Sequence, residues 1–246
     1  MLQQPEIRIL NSAADLFQAA ADQFAHLAHT AVAAHGRFTV ALSGGSTPRS
    51  MYSLLATRND IPWKQIYFFF GDERHVPPDH PDSNYRMAFT AMLAHVPPEN
   101  VSRVRGELPD ANAAAIAYEQ TMQRFFHLQP GEFPRFDLTL LGLGPDGHTA
   151  SLFPGSAALQ ENHRLVVANW VEKFNQYRIT FTYPVLNNSS CVMFLASGKE
   201  KSHAVHEILQ GNQDLPAKHV HPTNGQLIWM LDRDAATRLS MQEGGV

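Results

Sequence analysis

The sequence has very little cysteine, with the single residue Cys191 among 246. One cysteine cannot form a disulfide within the chain, and its place in an apolar run predicts a buried strand residue without a catalytic role. No stretch approaches the ~18 consecutive apolar residues of a membrane span, and residues 1–6 lack the cationic start of a secretion signal. We therefore expect a cytoplasmic protein with no membrane partner.

An excess of charge of one sign is also missing. The 19 Lys and Arg residues are scattered along the chain, and the formal net charge is -4. Nucleic-acid-binding proteins carry a basic stripe, so this distribution excludes nucleic acid as a partner but allows a small anionic substrate. The 13 histidines show no metal-ligand spacing. We expect neither a metal nor a cofactor.

Apolar strands alternate with amphipathic helices along the chain. The predicted strands cover residues 38–42, 66–70, 137–141, a segment near 166, 191–196 and 227–231. The predicted helices cover residues 12–34, 48–56, 83–94, 111–128, 199–209 and 234–239. This alternation indicates a three-layer α/β fold, in which helices flank a mostly parallel sheet. Because the sequence has no repeat and no linker, we predict one domain over residues 1–246.

The loop after the first of these strands contains small and polar residues and reads Ser43-Gly44-Gly45-Ser46-Thr47-Pro48. Two glycines permit close approach of the backbone to a ligand, and the helix that follows presents free N–H groups to an anion. Ser46 and Thr47 either cap this helix or donate to phosphate oxygens, and this segment alone does not decide between the two. The nucleotide-binding pattern G-x-x-x-x-G-K-[ST] is missing.

A second polar cluster, Asp72-Glu73-Arg74, follows the strand at residues 66–70. A carboxylate beside an arginine is either an exposed ion pair or part of a ligand site. The ion pair is the simpler interpretation of this segment alone. The proline-rich residues 75–81 that follow are a candidate rim or lid.

A third loop, residues 142–148, reads Gly-Leu-Gly-Pro-Asp-Gly-His and matches the dinucleotide pattern G-x-G-x-x-G literally. Pro145 and Asp146 crowd that turn, however, and residues 149–155 lack the apolar helix that the pattern requires. The loop is better suited to present Asp146 and His148 to a ligand. Histidine titrates near neutral pH and can take a proton from water, with a carboxylate to orient it. A purely structural histidine is the alternative.

These three loops, in this order, resemble the 6-phosphogluconolactonase family. The resemblance covers about residues 38–232 and is carried by residues 43–48, 72–77, 83–84, 142–155, 178–180, 186–187 and 198–201. The family hydrolyses the lactone made by glucose-6-phosphate dehydrogenase, the second step of the oxidative pentose phosphate pathway, and uses no metal. Its fold is Rossmann-like and similar to glucosamine-6-phosphate deaminase. The expected partner is a sugar phosphate lactone, bound by a monomer or a small homo-oligomer.

The resemblance also implies roles for individual residues. It makes His148 the general base that activates water. It places three further side chains in the same pocket, namely Asp72, Arg74 and Asp146. It assigns substrate and phosphate contacts to Ser43, Gly44, Gly45, Ser46, Thr47, Arg178 and Lys201. Within Gly-x-x-Lys the matching lysine is Lys201, whereas Lys199 is expected to be solvated. Asp146 either acts directly or holds the loop.

Two other functions fit parts of the pattern. Amino-sugar phosphate deaminases resemble this chain in the Gly-Asp-Gly-His loop but carry an acidic residue five positions after the histidine, where this sequence has Phe153. Phenylalanine cannot accept a hydrogen bond, which argues against a deaminase. A non-catalytic sugar-phosphate-binding regulator would need an added DNA-binding or partner-binding segment. Residues 1–37 instead contain an amphipathic helix without a basic face.

Overall fold

The computed structural model describes residues 4–240, which form one parallel and one antiparallel sheet. The strands are β1 (Glu6–Leu10), β2 (Phe38–Leu42), β3 (Ile66–Phe70), β4 (Asp72–Arg74), β5 (Leu138–Gly142), β6 (Val166–Val171), β7 (Gln176–Phe181), β8 (Cys191–Ala196) and β9 (Gln226–Asp232). The α-helices are α1 (Ala13–His35), α2 (Ser46–Leu55), α3 (Asn84–Ala91), α4 (Ala111–Phe126), α5 (Tyr183–Asn187) and α6 (Ser202–Leu209).

The parallel sheet has the strand order β1-β9-β8-β5-β2-β3. From β2 the chain winds outward to β3 and then returns to the other side of β2, where β5 pairs with it. The direction of winding therefore reverses between β2 and β5. In open parallel sheets a ligand crevice forms at such a reversal, outside the carboxyl ends of the strands.

A continuous apolar core supports the central strands. Every residue of β2 and of β8 is buried. Phe24 of α1 meets Phe38 of β2 edge to face with 5.3 Å between ring centroids, and Phe194 of β8 stacks on Trp229 of β9 at 4.0 Å. Full burial of a phenylalanine side chain contributes about 1.5–3 kcal/mol. The loops that leave these strands are therefore anchored on well-packed elements.

The structure confirms the predicted mostly parallel α/β fold and most element positions. The strands at 38–42, 66–70 and 191–196 match the prediction, and Ser12 caps α1 by accepting a hydrogen bond from the Asp15 backbone N–H at 3.1 Å. Strand β5 is shifted by one residue from the predicted 137–141, and the Asp137 carboxylate just before it accepts a hydrogen bond from the Thr39 N–H. The helix predicted for 199–209 begins with a 3₁₀ turn before α6.

The predicted helix at 234–239 is wrong. Residues 233–238 form successive turns, and Leu239 lies in a bend. The Asp232 carboxylate accepts a hydrogen bond from the Ala235 N–H at 2.8 Å, and the Thr237 hydroxyl donates to the Asp234 carbonyl at 2.9 Å. Such local side-chain bonds compete with the backbone ladder of a helix, so the turns do not propagate.

Sequence analysis did not predict β1 or the antiparallel sheet β4-β7-β6. Strand β1 pairs with β9, so that Glu6 lies opposite Ile228, a residue near the other end of the chain. Strand β4 has only three residues and gains its partner from β7. Both features depend on contacts between distant segments. Among residues 4–240, no helix is both long enough and apolar enough to cross a membrane.

Candidate active site

Four loops meet at the carboxyl edge of the parallel sheet and enclose a cavity of about 240 Å³. They follow the neighbouring strands β8, β5, β2 and β3. The residues that line the cavity are Ser43, Gly44, Gly45, Ser46, Thr47, Pro48, Asp72, Arg74, Asn84, Gly142, Leu143, Gly144, Pro145, His148, Thr149, Ala150, Leu195, Glu200 and Lys201. The topology therefore brings all three predicted polar loops to one place.

The first loop presents the start of α2 to the cavity. Helix α2 begins at Ser46, with Gly45 at the N-cap position and no side-chain cap hydrogen bond. The alternative of a threonine cap is therefore wrong. Gly45 has φ 106°, a left-handed conformation that other residues rarely adopt. The N–H groups of the first helical turn are left for an anion at the positive end of the helix.

The second cluster is buried, so the alternative of an exposed ion pair is wrong. Asp72 is 7% exposed and Glu73 is 2% exposed. Asp72 Oδ2 accepts a hydrogen bond from the Ser151 hydroxyl at 2.7 Å, and Oδ1 accepts one from Asn84 Nδ2 at 3.2 Å. These bonds fix the Asp72 carboxylate at the cavity wall.

Glu73 has a structural role next to this carboxylate. Its oxygens accept hydrogen bonds from the backbone N–H groups of Arg74, Asn84 and Tyr85 and from the Ser83 hydroxyl. Buried backbone N–H groups without a partner are costly, and Glu73 satisfies three of them. Glu73 therefore joins β4 to the start of α3 and holds Asn84 against the cavity.

The third loop presents His148 in a defined orientation. Nδ1 of His148 and Oδ1 of Asp146 form a short hydrogen bond, and the imidazole ring stacks on Phe153 with 4.0 Å between centroids. A Cβ atom added at Gly144 would lie 2.0 Å from His148 Nδ1, so only glycine fits there. The Gly144 N–H donates to the His148 carbonyl at 2.8 Å and closes the loop.

This arrangement leaves Nε2 as the reactive nitrogen of His148. An ionised carboxylate can only accept hydrogen bonds, so Nδ1 carries the ring proton and Nε2 carries the lone pair. Among residues 4–240, no group forms a hydrogen bond with Nε2. The sequence left two roles open for Asp146, a direct one and that of holding the loop. Besides bonding the His148 ring, Asp146 Oδ1 accepts a hydrogen bond from the His148 backbone N–H at 3.4 Å. Asp146 contacts both the ring and the loop.

Burial and charge set the ionisation of this pair. Burial lowers the pKa of His148, and although the hydrogen bond and charge of Asp146 act in the opposite direction, the net pKa lies below the ordinary value. Burial also raises the pKa of Asp146, but the hydrogen bond with His148, the charge of the imidazole and a hydrogen bond from Lys173 together lower it. A neutral imidazole beside an ionised carboxylate results at neutral pH.

The predicted cations occupy different positions. Arg74 and Lys201 line the cavity, and Lys199 is exposed outside it, as expected. Arg178 does not line the cavity. It is 8% exposed, lies opposite Arg74 in the β4–β7 pairing, and places its guanidinium 5.1 Å from the centre of the Phe174 ring. Burial and then the charge of Arg74 lower the pKa of Arg178.

Sequence analysis missed three side chains that complete the site. Asn84 lines the cavity, Ser151 holds Asp72, and Lys173 donates to Asp146 Oδ2 at 3.2 Å. The first two lie in segments that carry the family resemblance, so that signal was available for them. Lys173 lies in the β6–β7 hairpin, which the sequence pattern did not reveal. Among residues 4–240, no group of three or more His, Cys, Asp or Glu side chains is arranged to hold a metal ion.

The site therefore combines a mostly parallel α/β fold with a histidine–aspartate pair near a helix start that has no side-chain cap. The chain belongs to the family of glucosamine-6-phosphate isomerases/6-phosphogluconolactonase, whose profile matches residues 11–229. A 6-phosphogluconolactonase from Nostoc sp. is 45% identical over 217 residues, which cover 86% of this chain and 89% of the relative. The predictions of this resemblance and of an enzyme are confirmed.

Solved structures agree with this assignment. The 6-phosphogluconolactonase from Trypanosoma cruzi matches with a TM-score of 0.88 and 33% identity, covering 98% of each chain. A monomeric glucosamine-6-phosphate deaminase matches with a TM-score of 0.79 and 23% identity, covering 94% of this chain and 99% of that one. At that identity the likeness to the deaminase concerns the fold alone, which confirms the predicted relation between the two folds.

Proposed function

We propose that this protein hydrolyses 6-phospho-D-glucono-1,5-lactone to 6-phosphogluconate, the second step of the oxidative pentose phosphate pathway. The observation that carries the proposal is that His148, oriented by Asp146, lines the same cavity as the start of α2 and Lys201. A proton acceptor and an anion site thus share one cavity. A lactone phosphate offers a carbonyl to the first and a phosphate to the second.

His148 acts as the general base in this proposal. Nε2 takes a proton from water while the water oxygen attacks C1, and the carbonyl oxygen becomes an oxyanion. When the oxyanion collapses, the C1–O5 bond breaks and the proton passes from His148 to the departing O5. General base catalysis of this kind contributes about 10²- to 10⁴-fold. Because water is the nucleophile, no acyl-enzyme is needed.

Asp72 and Arg74 support the charges that develop. Asp72 raises the pKa of His148 through its negative charge, although burial dominates the net shift, and so it favours the imidazolium that forms during attack. Arg74 is assigned as the oxyanion donor. Its Nε is buried and has no hydrogen-bond partner among residues 4–240. One preorganised donor of this kind contributes about 3 kcal/mol.

The phosphate is assigned to the start of α2, to Lys201 and to Arg178. Free N–H groups of a helix start and nearby cations are suited to a phosphate dianion. Lys201 lines the cavity, and Arg178 lies opposite Arg74 in the β4–β7 pairing, with a buried Nε that lacks a partner among the described residues. Anchoring one end of the substrate positions C1 for attack, and such orientation supplies about 7–11 kcal/mol at best.

The proposal is tested with freshly generated 6-phosphogluconolactone and the purified protein. We expect acid release well above the spontaneous rate, and no ammonium release from glucosamine 6-phosphate, because Phe153 occupies the position where deaminases carry an acid. The assay is run at a pH where spontaneous opening is slow. Acid release at the spontaneous rate, or deamination as the main activity, would overturn the proposal.

The pH dependence of kcat/KM follows from the ionisation of His148. The neutral imidazole is the active form, so the rate falls as the pH drops through the pKa of the free enzyme's histidine. Because burial lowers this pKa, the midpoint of the acid limb of kcat/KM should lie below pH 6.5, the ordinary value for histidine, and the limb should have unit slope. Initial rates corrected for spontaneous hydrolysis measure this. An acid limb centred at or above 6.5 would contradict the assignment.

A further inference from the structure

The tip of the β6–β7 hairpin contacts the site from outside the cavity. It is a single 3₁₀ turn, Glu172–Phe174, closed by Asn175 in a left-handed conformation with φ 46°. The Trp170 indole N–H donates to Glu172 Oε2 at 2.8 Å, and the Trp170 ring packs against Tyr177 with 5.0 Å between centroids. The tip is therefore held in one shape by its own side chains.

Lys173 extends from this tip to the carboxylate that orients the base. Its Nζ donates to Asp146 Oδ2 at 3.2 Å, while Oδ1 of the same carboxylate bonds His148. With both oxygens engaged, the Asp146 carboxylate cannot rotate freely about its last bond. The Lys173 side chain is 56% exposed, so this pair is partly screened by solvent.

Phe174 connects the base to the buried arginine. Its ring meets Phe153 edge to face with 5.9 Å between centroids, and Phe153 stacks on His148. On its other side, the Arg178 guanidinium lies 5.1 Å from the centre of the Phe174 ring. Phe174 is 46% exposed although it is large and apolar. The two contacts give a reason for a large apolar side chain at this exposed position.

We propose that Lys173 and Phe174 are positioning residues, through which the β6–β7 hairpin holds the Asp146–His148 pair and Arg178 in fixed relative places. The inference rests on the proposed function, since it assigns a purpose to the orientation of His148. Lys173 acts through Asp146, and Phe174 acts through Phe153 and Arg178. Neither side chain lines the cavity, and neither is assigned a contact with the substrate.

The charges around His148 predict that Lys173 affects the pKa of this histidine. His148 is faced by Asp146 of its own loop, by Asp72 of β4 and by Lys173 of the hairpin, with Arg74, Glu200 and Lys201 elsewhere in the cavity wall. The two carboxylates favour the imidazolium, whereas the Lys173 cation disfavours it. Removal of Lys173 should therefore raise the pKa of His148 as well as loosen the Asp146 carboxylate.

Lys173→Met tests the first half of the proposal. We expect kcat to fall about 3- to 10-fold, and the acid limb of kcat/KM to move to higher pH by up to about 0.7 unit, the size set by a partly exposed ion pair. Lys173→Arg should restore both values. Lys64→Met, at an exposed lysine outside the cavity wall, is the matched control. An unchanged kcat and acid limb in Lys173→Met would overturn this half.

Phe174→Ala tests the second half. We expect a lower kcat together with a higher KM, because both His148 and Arg178 lose a supporting contact, and Phe174→Tyr should restore both. Phe89→Ala removes a similarly exposed phenylalanine ring from α3, outside the hairpin and the cavity wall, and is the control. Wild-type constants for Phe174→Ala would overturn this half. These failures are distinguishable from failure of the proposed function, in which the wild-type protein itself would not hydrolyse the lactone.

Discussion

Replacement of His148 by alanine should lower kcat for lactone hydrolysis by about 10²- to 10⁴-fold, the contribution of a positioned general base. The ring is half-buried at the cavity edge, stacked on Phe153 rather than placed within the core. The fold should therefore persist, with a melting temperature close to that of the wild type. Stopped assays on freshly generated lactone, corrected for spontaneous opening, measure the loss.

The control for this prediction is His26→Ala, because His26 is an exposed residue of α1, outside the cavity wall. That variant should keep wild-type kcat. Added imidazole should restore part of the activity of His148→Ala, since a small base can enter the space that the side chain leaves. Near wild-type turnover by His148→Ala in a folded protein would remove His148 as the base.

Replacement of Lys201 or Arg178 by methionine should raise KM with little change in kcat. Loss of one hydrogen bond to a charged group costs about 1.5–3 kcal/mol, which corresponds to about 10- to 150-fold in binding. The same variants should weaken inhibition by the product 6-phosphogluconate but leave inhibition by gluconate unchanged, because only the former carries phosphate. Inhibition constants for the two acids measure this selectivity.

Lys199→Met is the matched control for the lysine, because Lys199 lies two residues away but is exposed outside the cavity. It should leave KM unchanged. Arg178 is buried, so its variant also needs a melting temperature to show that it folds. If KM were unchanged in both Lys201→Met and Arg178→Met, the phosphate would have to bind elsewhere in the site.

The two predictions separate the two halves of the site. His148 lies in the loop after β5, whereas Lys201 lies in the 3₁₀ turn after β8 and Arg178 lies in β7. The first half should govern the chemical step and the second should govern binding. The parallel sheet keeps His148 and Lys201 at a fixed separation, since these residues follow the neighbouring strands β5 and β8.

Much of the fold could be predicted because short apolar runs between polar turns carry their own signal. Strands β2, β3 and β8 are of this kind, and their bounds match the prediction. The residues at 234–239 show the limit of such reasoning. Their pattern is compatible with a helix, but hydrogen bonds to Asp232 and from Thr237 favour turns. Helix propensity and apolar spacing contain no information about those competing side-chain hydrogen bonds.

The site was predictable in its residue types but not in its environment. The polar loops that contain Asp72 and His148 were recognised as chemistry-bearing from the sequence. Their burial was not, and burial makes Asp72 a fixed carboxylate instead of half of a surface ion pair. The lowered pKa of His148 likewise comes first from burial. Solvent exclusion depends on everything packed around a residue, most of which is distant in sequence.

The sequence by itself determined most of the helices and of the parallel strands, the loops that carry His148, Asp72 and Lys201, and the family to which they belong. Only the tertiary structure decided that β5 and β2 are neighbours, that β1 pairs with β9, and that the β6–β7 hairpin brings Lys173 to Asp146. The reason is physical. Element formation is set by residues a few positions apart, whereas strand order, burial and the resulting pKa values arise from contacts between segments far apart along the chain.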